Sequence, residues 1–207
     1  MAFTFFFRDQ HVLDLIVREV TPTLAGRSRA RIWDAGCAMG PEPYSLAILL
    51  AEAMGYFAFN NLRIDASDLD DCGLFGPIIA NGSYPWTELE RVPPALFQKY
   101  FEPDTQGRFR VVDRIRSRLS FYRHDLLSLK PVGEGYNLIV CKNVLLHLQP
   151  AERVEVFRMF YAALAPGGFL ATEQTQKLPG EVDVLFERAV SDAQIFRRVE
   201  GVRATAA

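Results

Sequence analysis

The sequence has 207 residues, of which 49% are hydrophobic and 23% are charged, and its formal net charge is -2. These values are typical of a globular protein with one domain, and the near-neutral charge gives no reason to expect a nucleic acid partner. The three cysteines include no C-x-x-C pair, which argues against a disulfide framework and a zinc site. No apolar stretch is long enough for a signal peptide or a membrane span, so we expect a cytoplasmic protein without membrane insertion.

The first half of the chain predicts alternating helices and strands. Apolar spacing indicates a helix over residues 10–20, a strand over 30–35, a helix over 41–54 and a strand over 62–67. Pro41 suits the first turn of its helix, and Gly55 suits the helix end. Residues 82–86 have loop composition, and residues 94–100 predict a short helix.

The second half adds buried strands and one segment of different character. Residues 109–121 alternate basic and apolar side chains, which predicts a small antiparallel insertion, placed at about 101–123. The remaining elements are a strand over 136–141 that is apolar on both faces, a helix over 151–164, a strand over 169–173, and a helix and a last strand within 181–199. The order predicts one α/β domain over residues 1–207, with a mostly parallel, doubly wound sheet.

A glycine turn after the first strand indicates a nucleotide-like cofactor. Residues 34–40 read D-x-G-x-x-x-G and a helix follows, so the backbone can approach a ligand at the carboxyl end of the sheet. The dinucleotide pattern G-x-G-x-x-G with an acid about 20 residues on does not fit this spacing. Together with Asp68 after the second strand, Asn143 after a buried strand and the P-G-G turn at 166–168, the pattern favours S-adenosylmethionine.

Several motifs carry a resemblance to a known family. They are T-F-F-F-R-D at 4–9, I-W-D-A-G-C-A-M-G-P-E-P-Y-S at 32–45, A-S-D-L-D at 66–70, G-x-Y at 82–84, Y-F at 100–101, C-K-N-V at 141–144 and L-x-P-G-G at 164–168. In this order they resemble the CheR-type chemotaxis receptor methyltransferases. The resemblance implies a Rossmann-like class I methyltransferase fold and S-adenosylmethionine-dependent methylation of glutamate carboxylates on a chemoreceptor-like protein. In the family a helical domain precedes the first motif, and this sequence begins at that motif.

The resemblance also implies which residues bind the cofactor: Thr4, Arg8, Ala35, Gly36, Glu42, Asp68, Asp125, Leu126, Asn143 and Val144. Thr4 and Arg8 would lie at the methionyl carboxylate, and Glu42 would pair with the methionyl ammonium. A zwitterionic group is well matched by one cation and one anion.

The other assignments concern the nucleoside and the sulfur. Asp68 would hold the ribose hydroxyls, and Asp125 with Leu126 would lie beside the adenine. Asn143 and Val144 would line the cofactor near the sulfur.

Two departures from the family pattern concern the methyl acceptor. Lys142 stands where the family has arginine, and His147 stands where it has tyrosine, so both are predicted catalytic residues. A carboxylate acceptor needs no base, whereas a hydroxyl or amine acceptor would need one, and histidine can serve at neutral pH. Two alternatives therefore stay open at this point: a small-molecule or other protein acceptor with His147 as base, and a non-catalytic module that binds the cofactor and signals.

Overall fold

The computed structural model describes residues 4–202 and consists of helices on both faces of a central sheet. The helices are α1 (Gln10–Ala25), α2 (Pro41–Asn60), α3 (Phe75–Asn81), α4 (Trp86–Leu89), α5 (Pro94–Tyr100), α6 (Asp113–Arg116) and α7 (Pro150–Ala163). The strands are β1 (Ala30–Ala35), β2 (Leu62–Asp68), β3 (Ser83–Pro85), β4 (Phe101–Pro103), β5 (Arg108–Val111), β6 (Leu119–Arg123), β7 (Tyr136–Cys141), β8 (Leu164–Thr172), β9 (Phe186–Arg188) and β10 (Ile195–Arg198). Within the described residues, no helix is both long and apolar enough to cross a bilayer.

The main sheet has seven strands in the order β6-β2-β1-β7-β8-β10-β9. Strands β6, β2, β1, β7 and β8 pair in parallel, and β10 runs antiparallel to both of its neighbours. The predicted mostly parallel, Rossmann-like sheet is thus confirmed. Because β1 lies between β2 and β7, the strand order reverses there, and the carboxyl ends of these strands border a crevice.

Strand β7 shows why the sheet is covered on both faces. All six of its residues are buried. Leu138 and Val140 belong to the core cluster that contains α1 and α2, whereas Ile139 and Cys141 belong to the cluster that contains α7. Successive side chains of a strand point to opposite faces, so an apolar run on both faces requires helices on both sides.

A second sheet of three antiparallel strands, in the order β3-β5-β4, forms the small insertion. Its limits differ from the predicted 101–123. Strand β3 comes from the segment predicted as a loop, whereas β6 belongs to the main sheet, where Leu119 pairs with Ile64 of β2. An edge strand with one wet face shows the same alternation as an insertion strand, so the pattern did not separate the two.

Three further predictions differ from the structure. The predicted helix after residue 181 is only the short 3-10 turn Gly180–Leu185, followed by β9 and β10. Val182 and Leu185 are buried in the core cluster that contains α7. This packing favours the short turn over the predicted helix. Helix α1 continues past residue 20 to Ala25. Helix α2 likewise continues past its predicted end at Gly55 to Asn60, although the φ of 74° and ψ of 174° at Gly55 are not helical and mark a kink.

Candidate active site

A cavity of about 500 Å³ lies at the carboxyl ends of β1, β2 and β7. Nine residues predicted for the site line it: Thr4, Arg8, Gly36, Glu42, Asp68, Lys142, Asn143, Val144 and His147. Cys37, Ala38 and Leu146 also line it, although the sequence reasoning did not assign them. These three residues lie in the loops after β1 and β7, next to residues that were predicted for the site. Their position in those loops could have identified them from the sequence.

Three predicted residues do not line this cavity. Ala35 and Leu126 are buried in the core cluster on the α7 side of the sheet. The Oδ1 atom of Asp125 accepts a hydrogen bond of 2.9 Å from the backbone N–H of Leu127, which makes Asp125 the cap of the short turn Leu126–Ser128. The adenine assignment of Asp125 and Leu126 stays a prediction.

The loop after β1 depends on glycine. Gly36 and Gly40 have φ values of 97° and 98°, in the left-handed region. The N–H groups of Gly36 and Cys37 donate to the Ser67 carbonyl at 2.7 and 3.0 Å, which joins the loop to the end of β2. A Cβ on Gly36 would lie 2.1 Å from Cγ2 of Val144, so this loop packs directly against the loop that follows β7.

Asp68 supports the same loop from the end of β2. Its Oδ2 accepts a hydrogen bond of 2.9 Å from the N–H of Ala38, a residue with a φ of 48°. Asp68 also lines the cavity. A carboxylate with one oxygen bound to the protein keeps acceptor capacity for hydroxyl groups of a ligand.

The amino-terminal segment is tied to α2 by Ser45. The N–H of Phe7 donates to Ser45 Oγ at 2.8 Å, and the Ser45 hydroxyl donates to the Pro41 carbonyl at 2.6 Å. Arg8 then reaches the cavity, where its Nη2 donates to Asn143 Oδ1 at 3.1 Å. The motifs at 4–9 and 32–45 therefore meet in space.

Two charged residues of the cavity wall, Lys142 and Glu42, form an ion pair. Lys142 has a fully buried side chain, and its Nζ lies 2.9 Å from Glu42 Oε2 and 3.4 Å from Asp9 Oδ2. Burial disfavours the ammonium ion, but Glu42 and then Asp9 outweigh it and raise the pKa of Lys142 above its ordinary value. The Glu42 carboxylate that was predicted to meet the cofactor is thus already paired through one oxygen.

Asp34, near the end of β1, is a second buried acid. It is fully buried, and neither carboxylate oxygen has a hydrogen-bond partner among the described residues. Burial, together with the charges of Glu42 and Asp68, raises the pKa of Asp34 well above its ordinary value, although Lys142 opposes this. The folded protein therefore retains the Asp34 proton to higher pH than the unfolded chain does.

This retention predicts a pH dependence of stability. Because the folded pKa of Asp34 exceeds the unfolded value of about 3.9, the free energy of unfolding should fall as pH rises from about 4 through the folded pKa, by up to about 1.4 kcal/mol per pH unit. Asp34→Asn should flatten this decline, since the amide does not titrate. Urea unfolding at several pH values between 4.5 and 8 measures it, with exposed Asp183→Asn as the control. Equal pH slopes for wild type and Asp34→Asn would contradict a raised pKa.

His147 lies in the short turn Leu145–His147 after β7, is exposed and lines the cavity. In the described part of the chain its ring makes no hydrogen bond or ion pair. Arg153 of α7 holds the backbone on both sides, because its Nε and Nη2 donate to the carbonyls of Leu148 and Leu146 at 3.0 and 3.4 Å. Arg153 therefore fixes the backbone of the turn that carries His147, whereas the His147 side chain is not held by a hydrogen bond from the described residues.

Comparison with known proteins identifies the family. A family model described as "CheR methyltransferase, SAM binding domain" matches residues 2–194. The chain belongs to the CheR methyltransferase family. The probable chemotaxis protein methyltransferase of Rhizobium etli is 31% identical over 192 residues, which cover 89% of this chain and 71% of that protein. Chemotaxis protein methyltransferase 1 of Pseudomonas aeruginosa is 32% identical over 190 residues, which cover 85% of this chain and 67% of that protein.

A solved structure supports the class I methyltransferase fold of this CheR-family chain. Magnesium protoporphyrin IX methyltransferase from Synechocystis, solved with bound S-adenosylmethionine, matches with a TM-score of 0.50 and 17% identity. The match covers 92% of this chain and 80% of that structure. At such low identity the likeness shows the fold alone.

The chain is an S-adenosylmethionine-dependent methyltransferase, and the residues of the cavity suit this cofactor. Arg8 and Glu42 offer one cation and one anion to a zwitterionic amino-acid group. Asp68 offers acceptor oxygens to a ribose diol. When bound, the cofactor supplies an electrophilic methyl group on a sulfonium.

Proposed function

We propose that this CheR-family methyltransferase acts in the cytoplasm and O-methylates glutamate carboxylates of a chemoreceptor-like protein. The match over residues 2–194, together with relatives named chemotaxis protein methyltransferases, carries the proposal. The state of the cysteines suits a reducing compartment, since Cys37, Cys72 and Cys141 are all free.

The geometry of the cavity favours an acceptor that is already ionised. A glutamate side chain has a pKa of about 4.3 and is a carboxylate at neutral pH, so no group must remove a proton. A general base is normally oriented by a partner, and the His147 ring has none among residues 4–202. The work left to the protein is to hold the donor, exclude water and align the acceptor oxygen with the methyl group.

The exposed imidazole of His147 favours one second candidate. It lines the cavity after β7, where the family has a tyrosine. A neutral imidazole can accept a proton from a hydroxyl or amine, so the acceptor would be a small molecule or a different protein.

The chemistry of the methylated product separates these candidates. We expect radiolabelled S-adenosylmethionine to label a cytoplasmic chemoreceptor fragment, and mild base to release the label as methanol, because glutamate methyl esters hydrolyse readily. Label that survives base, on a protein or a small molecule, would favour the second candidate. Replacement of the receptor glutamates by glutamine should abolish labelling if the proposal is correct.

Substitution of His147 tests the base role directly. For a carboxylate acceptor, His147→Phe should change kcat by less than about threefold, because no proton is transferred. For a hydroxyl or amine acceptor, kcat should fall by about 10²- to 10⁴-fold. Steady-state kinetics between pH 5.5 and 8.5 measure both, and His11→Phe, on the exposed side of α1, is the control. A large loss with a receptor substrate would contradict base-free transfer.

A further inference from the structure

The buried cation at the cavity does not lie where a residue that binds the acceptor is expected. Lys142 has no exposed side-chain surface, and its ammonium is engaged by Glu42 and, at longer range, by Asp9. The Asp9 side chain is 47% exposed, so water screens that contact, whereas the Glu42 side chain is only 11% exposed. The contact of Lys142 with Glu42 is therefore closer and drier than its contact with Asp9.

The pair holds Glu42 by one of its two oxygens. Lys142 Nζ donates to Oε2 at 2.9 Å, and Glu42 is part of the cavity wall. A glutamate has several rotatable bonds, so an anchor on one oxygen restricts where the other oxygen can lie. Buried ion pairs add little net stability, but removal of one partner leaves an uncompensated charge. The pair therefore points to a role in fixing the position of the Glu42 carboxylate rather than in stabilising the fold.

Lys142 is also the cation that opposes the raised pKa of a second buried acid. Asp34 is fully buried without a hydrogen-bond partner among the described side chains, and burial and then the charge of Glu42 raise its pKa, whereas Lys142 opposes this. Removal of the lysine would leave Glu42 without this close cationic partner, so its side chain would no longer be held through one oxygen.

We propose that Lys142 is a positioning residue that fixes Glu42, so that the second carboxylate oxygen of Glu42 receives the α-ammonium of S-adenosylmethionine, and that Lys142 does not contact the methyl acceptor. This role depends on the cofactor-binding part of the proposed function and is the same for either acceptor. It replaces acceptor binding as the role of Lys142.

Two ligands that differ only in the amino-acid group test the proposal by calorimetry. S-Adenosylhomocysteine carries the α-ammonium, whereas 5′-methylthioadenosine lacks the whole amino-acid group. Lys142→Met should weaken binding of S-adenosylhomocysteine by about 10- to 100-fold and change binding of 5′-methylthioadenosine by less than threefold. Glu42→Gln should show the same selectivity, and the double variant should lose no more than either single variant.

Other outcomes overturn the proposal. Equal losses for both ligands would make Lys142 a general packing residue. Unchanged affinity for S-adenosylhomocysteine with a raised KM for the acceptor would make it an acceptor-binding residue. If wild-type protein binds neither ligand, the cofactor assignment itself fails, which is a separate result from any effect at Lys142.

Control variants guard against simple misfolding. Lys142→Met leaves Glu42 unpaired, so its thermal unfolding is compared with that of the double variant, in which both charges are removed. Lys142→Arg keeps the charge and should recover most of the affinity for S-adenosylhomocysteine. Lys99→Met is the matched control, because Lys99 forms a surface pair of 2.5 Å with Glu52 and does not line the cavity.

Discussion

Gly36→Ala is expected to lose both stability and cofactor affinity, because the new Cβ meets two obstacles at once. The φ of 97° costs an L-residue about 1–2 kcal/mol. The 2.1 Å approach to Val144 Cγ2 then forces the two loops apart, which adds about 1–3 kcal/mol. The free energy of unfolding should fall by about 2–5 kcal/mol in all. Because both loops line the cavity, affinity for S-adenosylhomocysteine should fall at least tenfold, measured by urea unfolding and calorimetry.

A second glycine separates the two causes. Gly135 has a φ of 72°, but nothing lies within 4 Å of a Cβ added there, and it does not line the cavity. Gly135→Ala should therefore show only the backbone cost, about 1–2 kcal/mol, with unchanged cofactor affinity. If Gly36→Ala behaved like Gly135→Ala in both measurements, close packing of the loop at residue 36 against Val144 would not matter to the site.

Asp68→Asn is expected to weaken binding of every ligand that contains the ribose. The asparagine carbonyl can still accept the Ala38 N–H, so the loop should keep its conformation. What is lost is a charged acceptor for the ribose hydroxyls, worth about 1.5–3 kcal/mol, or about 10- to 150-fold in affinity. Titrations with S-adenosylhomocysteine and 5′-methylthioadenosine should show equal losses.

This equality distinguishes Asp68 from Lys142, whose replacement should affect only the ligand with the amino-acid group. Asp71→Asn is the control, because the Asp71 side chain is 74% exposed, is 3.7 Å from Arg123 and does not line the cavity. Its affinities should match those of wild type. A loss for S-adenosylhomocysteine alone in Asp68→Asn would place Asp68 at the amino-acid group and refute ribose binding.

The central sheet could be predicted from the sequence because the features that indicate it involve residues close together in the chain. An apolar run such as that of β7 indicates burial on both faces, and Gly36 and Gly40 mark positions that need a left-handed φ. The limits of the small antiparallel insertion could not be predicted from such local features. Residues 119–123 pair with β2, which lies more than 50 positions earlier in the chain. Alternation of polar and apolar residues does not specify which strand a segment pairs with.

Local patterns thus sufficed for the fold class and favoured the cofactor, since backbone conformation and periodicity depend on neighbouring residues. Most of the cavity wall was predicted from the resemblance that the motifs carry. The pairing of Lys142 with Glu42, 100 residues apart, and the burial of Asp34 without a hydrogen-bond partner among residues 4–202 were decided only by folding. Coulomb interactions and desolvation depend on distance and burial in three dimensions, and neither quantity exists in a linear chain.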